Sequence, residues 1–426
     1  MKSTLTRAPS CADDHDPAAL TVDEARHTIQ QHISPISGVE KRSLRSCLNR
    51  VLAEDIHSTI QVPAHTNSAM DGYAIAADDL PVDGIKKYRV IGTAFAGKAF
   101  AGSCKAGEVV RIMTGAVIPD GCDTVVMQEH IEIVDDTHIH IDQGHRSGQN
   151  VRQAGEDIDI GDIVLQKGRH IMPSDLGILA SLGLAEIPVY RRPRVAFFST
   201  GDELRSVGEM LKKGEIYDSN RYTLYGMLKN LHVDILDMGV VRDNQQAMHN
   251  ALQTAADMAD IVITSGGVSV GEADYIKPTL DQLGSIHFSK VGMKPGRPLT
   301  FGSINSNQKQ AHFFGLPGNP VSVMVTFYQF VQPAIHYLAS GKTQQPITLK
   351  ATCTSTLKKR SGRFEFQRGV YQQEANGDIS VSKTGQQGSG VLTSMSIANC
   401  FILLPENATT VQPGDTVEIQ PFNALN

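Results

Sequence analysis

Apolar positions change their spacing several times along the chain, and each change marks a different kind of structure. Thr21 and Glu24 form a capping-box pair, and Val22, Ala25 and Ile29 follow at helical spacing, which predicts a helix there. Leu44, Leu48, Val51 and Leu52 predict a second. From about residue 60, short β-like runs take over, among them Val109–Met113, Thr124–Met127 and His138–Asp142, with turns at Gly97, Gly102 and Gly121. Ser174–Leu182 returns to helical spacing, with Ser174 as N-cap and Gly183 past the end. That return predicts an inserted β domain at 60–155, wrapped by a discontinuous helical/mixed N-terminal domain made of 18–59 and 156–190.

From Arg194 onward, short apolar runs alternate with helical patterns. Val195–Phe198 is apolar throughout, as in a strand buried on both faces. A helix capped by Ser219 or Asn220 follows, with Leu224, Leu228 and Leu231 on one face. Then come strand Val233–Leu236, a helix through Ala247, Ala251, Leu252 and Ala255, and strand Ile261–Thr264. Runs near Ile286–Val291 and His312–Leu316 lead into a long apolar helix that starts at Pro320 and is kinked at Pro333. The alternation predicts a central doubly wound α/β domain over 191–340. Residues 341–426 return to β texture (Phe364–Phe366, Ile379–Val381, Phe401–Leu404, Val417–Ile419), a small barrel or sandwich. The fold class is α/β multidomain.

Composition narrows the class. The 426 residues suggest about three domains on length alone, one fewer than the texture does. A net charge of −6 supplies no excess of cations for nucleic acid phosphates, so a nucleic-acid binder is excluded. A hydrophobic share of 41% and a charged share of 20% are those of a soluble globular protein, against disorder, collagen or membrane classes. The six cysteines form no C-x-x-C pair, which argues against a disulfide framework or zinc site and for a reducing compartment. Met1–Pro17 lacks an apolar core, so a signal peptide or membrane span is not expected and a cytoplasmic location is.

The chemistry gathers where the α/β strands end, which is where ligands bind in open α/β sheets. Ser199-Thr200-Gly201-Asp202-Glu203 follows the first strand. The segment Thr264 to Asp274 follows the third, where Gly266 and Gly267 let backbone N–H groups approach an anion while Ser265 and Ser269 add donors. Leu316-Pro317-Gly318-Asn319-Pro320 opens the long helix and offers its positive end to a phosphate. Each loop alone also fits a tight turn. Lys294 and Arg297 sit on a stiff Pro/Gly loop suited to fixed cations, or to a solvated basic turn. Asp218, Asp243 and Asp274 fit either helix N-caps or oxygen ligands for Mg²⁺ shared with substrate phosphates. In the inserted domain, Asn67 to Ala74 forms a loop able to present Asp71.

Two patterns are set aside. Gly92 to Ala99 imitates a P-loop, but Ala99 replaces the Mg²⁺-binding hydroxyl and no helix pattern follows. His138-Ile139-His140 puts two histidines on one strand face without a third ligand.

The runs S-A-M-D-G-Y-A (68–74), R-I-M-T-G-A (111–116), G-E-D-I (155–158), S-T-G-D-E-L (199–204), D-S-N (218–220), T-S-G-G-V-S-V-G-E-A-D-Y (264–275), K-P-G-R-P (294–298) and L-P-G-N-P-V-S (316–322), in this order, resemble the molybdopterin molybdenumtransferase family, related to the C-terminal domain of gephyrin. The resemblance implies a four-domain homodimer whose α/β domain binds adenylylated molybdopterin. It also implies the reaction: molybdate is placed on the dithiolene, and the pyrophosphate bond is hydrolysed with Mg²⁺, releasing AMP. By motif, Glu203, Asp243 and Asp274 are its acidic residues, with Asp243 and Asp274 as metal ligands. Ser199, Thr200, Gly201, Asp218, Ser219, Asn220, Ser265, Gly266, Gly267, Ser269, Lys294, Arg297, Pro317, Gly318, Asn319 and Pro320 bind substrate. Asp71, Thr114 and Asp157 line the same cleft from the partner subunit, and Arg368 and Ser389 are functional positions in the last domain. Arg297 stands where the family commonly has lysine. An adenylyltransferase partner that delivers the substrate is compatible with this scheme. Two alternatives remain: a molybdopterin adenylyltransferase, which resembles the α/β domain alone, and a non-enzymatic scaffold on the same fold.

Overall fold

The computed structural model describes Asp16 and residues 18–267, 275–306 and 309–422. The chain forms two compact units, Glu40–Val189 and one built from the chain on either side of it.

In the first unit, strand Gly72–Ile75 is buried between Thr124–Met127 and Glu108–Ile112, antiparallel to both. The sheet continues through Ile85–Ala94 and His138–Asp142 to Ile131–Asp135 at its edge. Alternation along these strands divides the packing between two faces: Tyr73, Ile75, Val109 and Val126 on one, and Ala74, Val110 and Val125 on the other. His138 and His140 flank buried Ile139 and lie 3.0 Å from Asp135 and 3.1 Å from Glu132, an arrangement of separate surface pairs.

A second core in this unit joins Cys47, Leu52 and Ile56 to Ile158, Leu165, Leu179 and Val189, bringing segments before residue 60 and after 156 together. The helix expected through Leu44 to Leu52 is only a 3-10 turn, Leu44–Cys47. Asn49 takes a left-handed φ of 60°, and Val51 and Leu52 bridge to His170 and Val189, so tertiary pairing overrides the helical spacing. Helix Pro173–Ser181 forms, but Ser174 is not its cap. Pro173 takes the first helical position, and buried Asp175 accepts the Met172 N–H at 2.9 Å while holding Arg169 by two hydrogen bonds.

The second unit is centred on a six-stranded sheet in the order Asp234–Val241, Arg194–Thr200, Ile261–Ser265, Gln310–Leu316, Pro298–Asn305, Gly284–Lys290. The first four are parallel. Pro298–Asn305 runs antiparallel to both its neighbours, and it had no counterpart in the sequence pattern because its apolar positions are broken by Thr300, Gly302 and Ser303. Both sheet faces are covered. Val195 and Phe197 face the helix Ser219–Asn230, while Ala196 and Phe198 face Gln245–Met258, so the continuous apolar run reflects two buried faces. The first helix, Val22–His32, carries the capping box in full and packs Val22, Ala25 and Ile29 into the core that contains Val195 and Phe197.

The long helix is interrupted as its proline requires. Pro320–Thr326 is α-helical, Phe327–Val331 widens to a π-turn, and Gln332–Ser340 resumes. Pro333 has no N–H to give the preceding turn, and the wider turn absorbs the defect. The last strands close into a five-stranded barrel: Phe364–Gln373, Ile379–Lys383, Leu349–Cys353, Thr416–Pro421, Cys400–Leu404 and back to the first. Closure leaves this sheet no free edge except where Met293–Lys294 of the preceding domain pairs alongside Phe364–Glu365.

Candidate active site

The ladder register sets the site. Ser199 pairs with Ser265, and Ser265 with Leu316, so the three loops leave the sheet side by side. From the central strand Arg194–Thr200 the chain crosses first to Asp234–Val241 on one side and then to Ile261–Ser265 on the other. The rim is therefore at the topological switch point, where the flanking connections diverge.

Glycines make the close approach possible. Gly266 has φ +89°, and a Cβ there would lie 2.6 Å from Thr200 O; at Gly267, with φ +67°, it would lie 2.8 Å from both Ile276 and Thr200 side chains. Gly266 N–H donates to Leu316 O at 3.1 Å. Asn220 Nδ2 donates to Ser265 Oγ at 2.9 Å and to Gly318 O at 2.7 Å, tying the helix after the first strand to the second and third loops. Gly266→Ala is expected to destabilise the protein by about 1–3 kcal/mol through strain and the clash with Thr200 O; an unchanged melting temperature would refute the close approach.

Buried polar atoms without a partner collect at this rim. Among the described residues they include Ser199 Oγ, Asp218 Oδ2, Asn220 Oδ1 and Thr264 Oγ1, while the Thr200 side chain hydrogen-bonds Asp243. Buried polar groups are nearly always satisfied, so such a cluster marks a candidate site.

The carboxylates separate by role. Asp218, not Ser219 or Asn220, caps Ser219–Asn230, its Oδ1 accepting Arg221 N–H at 3.1 Å. Asn244 caps Gln245–Met258 through Ala247 N–H at 2.9 Å, which relieves Asp243 of that duty. Burial, then the neighbouring Asp202 and Glu203 carboxylates, push Asp243 above the ordinary range. Glu203 is exposed and folds over Gly201, whose Cβ would meet its carboxylate at 2.6 Å. Ser269 and Asp274 lie outside the described residues.

The third loop is less open than its sequence suggests. Pro317 is buried, Gly318 and Asn319 are exposed, and Pro320 has no N–H. The next donor, Val321 N–H, goes to Ser389 O at 3.1 Å. Ser389 thus reaches the helix start from the barrel. Arg368 holds that contact from inside: it is 1% exposed, donates to Ser394 Oγ at 3.0 Å and to Gly388 O at 3.0 Å, and burial lowers its pKa to about 10. It supports the loop rather than facing solvent.

The two loop cations also differ. Lys294 is half-exposed, with Nζ 3.4 Å from Glu365 Oε1. Arg297 is buried, with Nη2 2.6 Å from Asp16 Oδ2, and Lys290 Nζ is 3.2 Å from the same oxygen. Arg297 and Lys290 hold Asp16 down to about 2. No local pattern pointed to Asp16 or Glu365, since each meets its cation across a long sequence separation. In the other unit, Asp71 Oδ1 accepts Thr114 N–H at 2.7 Å and Thr114 Oγ1 at 2.8 Å, which lowers its pKa. Asp157 is exposed there, its N–H on Val62 O at 3.1 Å.

A largely parallel sheet with unpaired polar groups at its strand ends, joined to a closed barrel, defines a multidomain α/β protein with a small-molecule site. Residues 20–183 match the MoeA N-terminal region (domain I and II), 196–337 a probable molybdopterin binding domain, and 350–422 the MoeA C-terminal region (domain IV). The chain is 44% identical over 407 residues to the molybdopterin molybdenumtransferase of Haemophilus influenzae, covering 95% of this chain and 99% of that one. It is 35% identical to gephyrin of Dictyostelium discoideum, covering 95% of this chain and 62% of the relative. The crystal structure of a molybdopterin biosynthesis moeA protein from Pyrococcus horikoshii OT3 superimposes with a TM-score of 0.80 at 29% identity, covering 95% and 100% of the two chains. The chain belongs to the molybdopterin molybdenumtransferase family, transferases of molybdenum cofactor biosynthesis. No helix among the described residues is long and apolar enough to cross a membrane.

Proposed function

We propose that the chain transfers molybdate onto the dithiolene of adenylylated molybdopterin, with Mg²⁺-dependent hydrolysis of the pyrophosphate bond and release of AMP. The observation that carries this reading is the cluster of unpartnered buried hydroxyls, amide and carboxylate oxygens at the rim, next to two left-handed glycines. A ligand with phosphates and many polar edges satisfies such a set.

Mg²⁺ fits the donors. Asp243 offers a half-buried carboxylate beside Thr200, with Asp202 and Glu203 close enough to raise its pKa, all hard oxygen ligands. Asp243 and Asp274 would hold the ion, and it would supply positive charge against the anionic phosphates. Ser199, Thr200 and Ser265 orient the substrate's polar edges, and Gly266 and Gly267, with no side chains, let its anionic group approach the backbone closely. Lys294 exchanges Glu365 for a substrate oxyanion. The sulfurs that take molybdenum belong to the substrate, so no cysteine is required.

The proposal extends to a cytoplasmic homodimer in which Asp71, Thr114 and Asp157 of the second copy complete the cleft. Thr114 keeps Asp71 ionised there and so an acceptor only. It extends also to the four-domain division read from the sequence, with the first helix docked on the α/β core, and to delivery of the substrate by an adenylyltransferase. Incubation with adenylylated molybdopterin, molybdate and Mg²⁺ is expected to release AMP only when molybdate is present. AMP appearing equally without any oxyanion would count against insertion. Asp274→Ala is expected to abolish the metal-dependent reaction with circular dichroism unchanged, and a wild-type rate would sink that assignment.

A further inference from the structure

Of the described cysteines, Cys47, Cys353 and Cys400 are buried, while Cys104 and Cys122 are both partly exposed. Burial pushes the thiols of Cys47 and Cys400 up, which makes them poor nucleophiles. Cys104 and Cys122 lie on adjoining segments. Ser103 bridges to Asp120, and Cys104 N–H donates to Asp120 O at 2.8 Å. Gly121 packs so closely that a Cβ there would lie 2.5 Å from Cys104 O. Cys122 N–H is held by Pro119 O at 3.0 Å. The Cys122 thiol is within hydrogen-bonding reach of Cys104 sulfur, and the Cys104 S–H donates to Glu108 O at 2.9 Å. Backbone hydrogen bonds, not a lone contact between side chains, therefore keep the two sulfurs adjacent.

We propose that Cys104 and Cys122 form a redox-responsive dithiol that closes to a disulfide by exchange with a small aliphatic disulfide. The Cys104 thiolate attacks one sulfur of RS–SR, forming the mixed disulfide Cys104–S–S–R and expelling RS⁻. The Cys122 thiol then attacks the Cys104 sulfur, giving its proton to the departing RS⁻ as the protein disulfide closes and the Cys104–S–R bond breaks. The two thiol protons end on the two RS⁻ groups, so two protein thiols are oxidised and one RS–SR is reduced to two RSH. Cys104 attacks once its proton leaves Glu108 O, with the Cys122 S–H remaining as donor to its sulfur, and Cys122 serves to resolve. The closed ring encloses the strand Glu108–Ile112 and Thr114, so oxidation clamps the segment that holds Asp71.

The inference is independent of the proposed reaction, since it uses neither substrate nor metal. The full-length native protein would be incubated with oxidised glutathione, alkylated, and digested without reduction for mass spectrometry. A peptide pair linked through Cys104 and Cys122 is expected, reversed by reduced glutathione. Cys122→Ser is expected to stop at a glutathione adduct on Cys104, and Cys104→Ser to lose thiols at least about tenfold more slowly than wild type. Absence of the linked pair in wild type, or an adduct on Cys104 that persists with Cys122 present, would overturn the proposal. The decisive arm uses the wild-type protein, so it stands even where a serine variant folds poorly.

Discussion

Asp243→Asn is expected to lower Mg²⁺-dependent AMP release by about 10²–10³-fold while the protein melts at or above the wild-type temperature. The two effects share one cause. Burial and two nearby carboxylates raise the Asp243 pKa, so the folded protein holds that proton more tightly than the unfolded chain does. Ionised Asp243 therefore costs stability at neutral pH, and the cost disappears as pH falls below its folded value. Asparagine removes the charge and the cost together, but leaves one neutral oxygen where a cation needs an anionic one. The same shift places the acid limb of the wild-type rate profile above the ordinary aspartate range. Raising Mg²⁺ moves that limb to lower pH, because the cation competes with the proton. A variant with full activity, or one that melts well below wild type, would refute the arrangement.

Arg368→Ala is expected to cost about 3–5 kcal/mol, as for other large core side chains, and to loosen substrate binding about tenfold in the molecules that remain folded. The guanidinium bonds Ser394 Oγ and Gly388 O from a position with almost no solvent exposure. Through the Gly388–Ser389 backbone it sets the carbonyl that receives Val321 N–H at the start of the long helix. Lysine keeps the charge but cannot hold both partners in one plane. Arg368→Lys should therefore recover part of the melting temperature and little of the substrate affinity. Calorimetry and the substrate KM read the two separately; equal recovery of both would mean that charge alone matters at this position.

The α/β domain was the most legible part of the sequence. Val195–Phe198 and Ile261–Thr264 lie in strands, and the capping box at Thr21 is present in both of its hydrogen bonds. These readings depend on neighbours in sequence, where periodicity and capping act. Failures came where distant segments decided. The Leu44–Leu52 helix gave way to pairing with Val189 and His170, and Ser219 and Asn220 lost the cap to Asp218. The last strands were read as barrel or sandwich, and only the pairing of Phe364–Gln373 with Cys400–Leu404 closes them.

At the site the division is similar. The glycines, hydroxyls and acids of the rim were visible because each occupies a loop directly after a strand. Their unpartnered state was not, because satisfaction depends on what packs nearby: Asn220 reaches Ser265 and Gly318, yet leaves its own Oδ1 buried. The cations show the converse. Lys294 and Arg297 are equivalent in the loop's composition, but Asp16 buries one and Glu365 engages the other. By itself, the sequence determined which residues border the strand ends and which family they belong to, since both are written in local order. The tertiary structure alone decided which of those groups are spent on neighbours and which are left over, because charge and hydrogen bonding at each one are set by atoms far away in the chain.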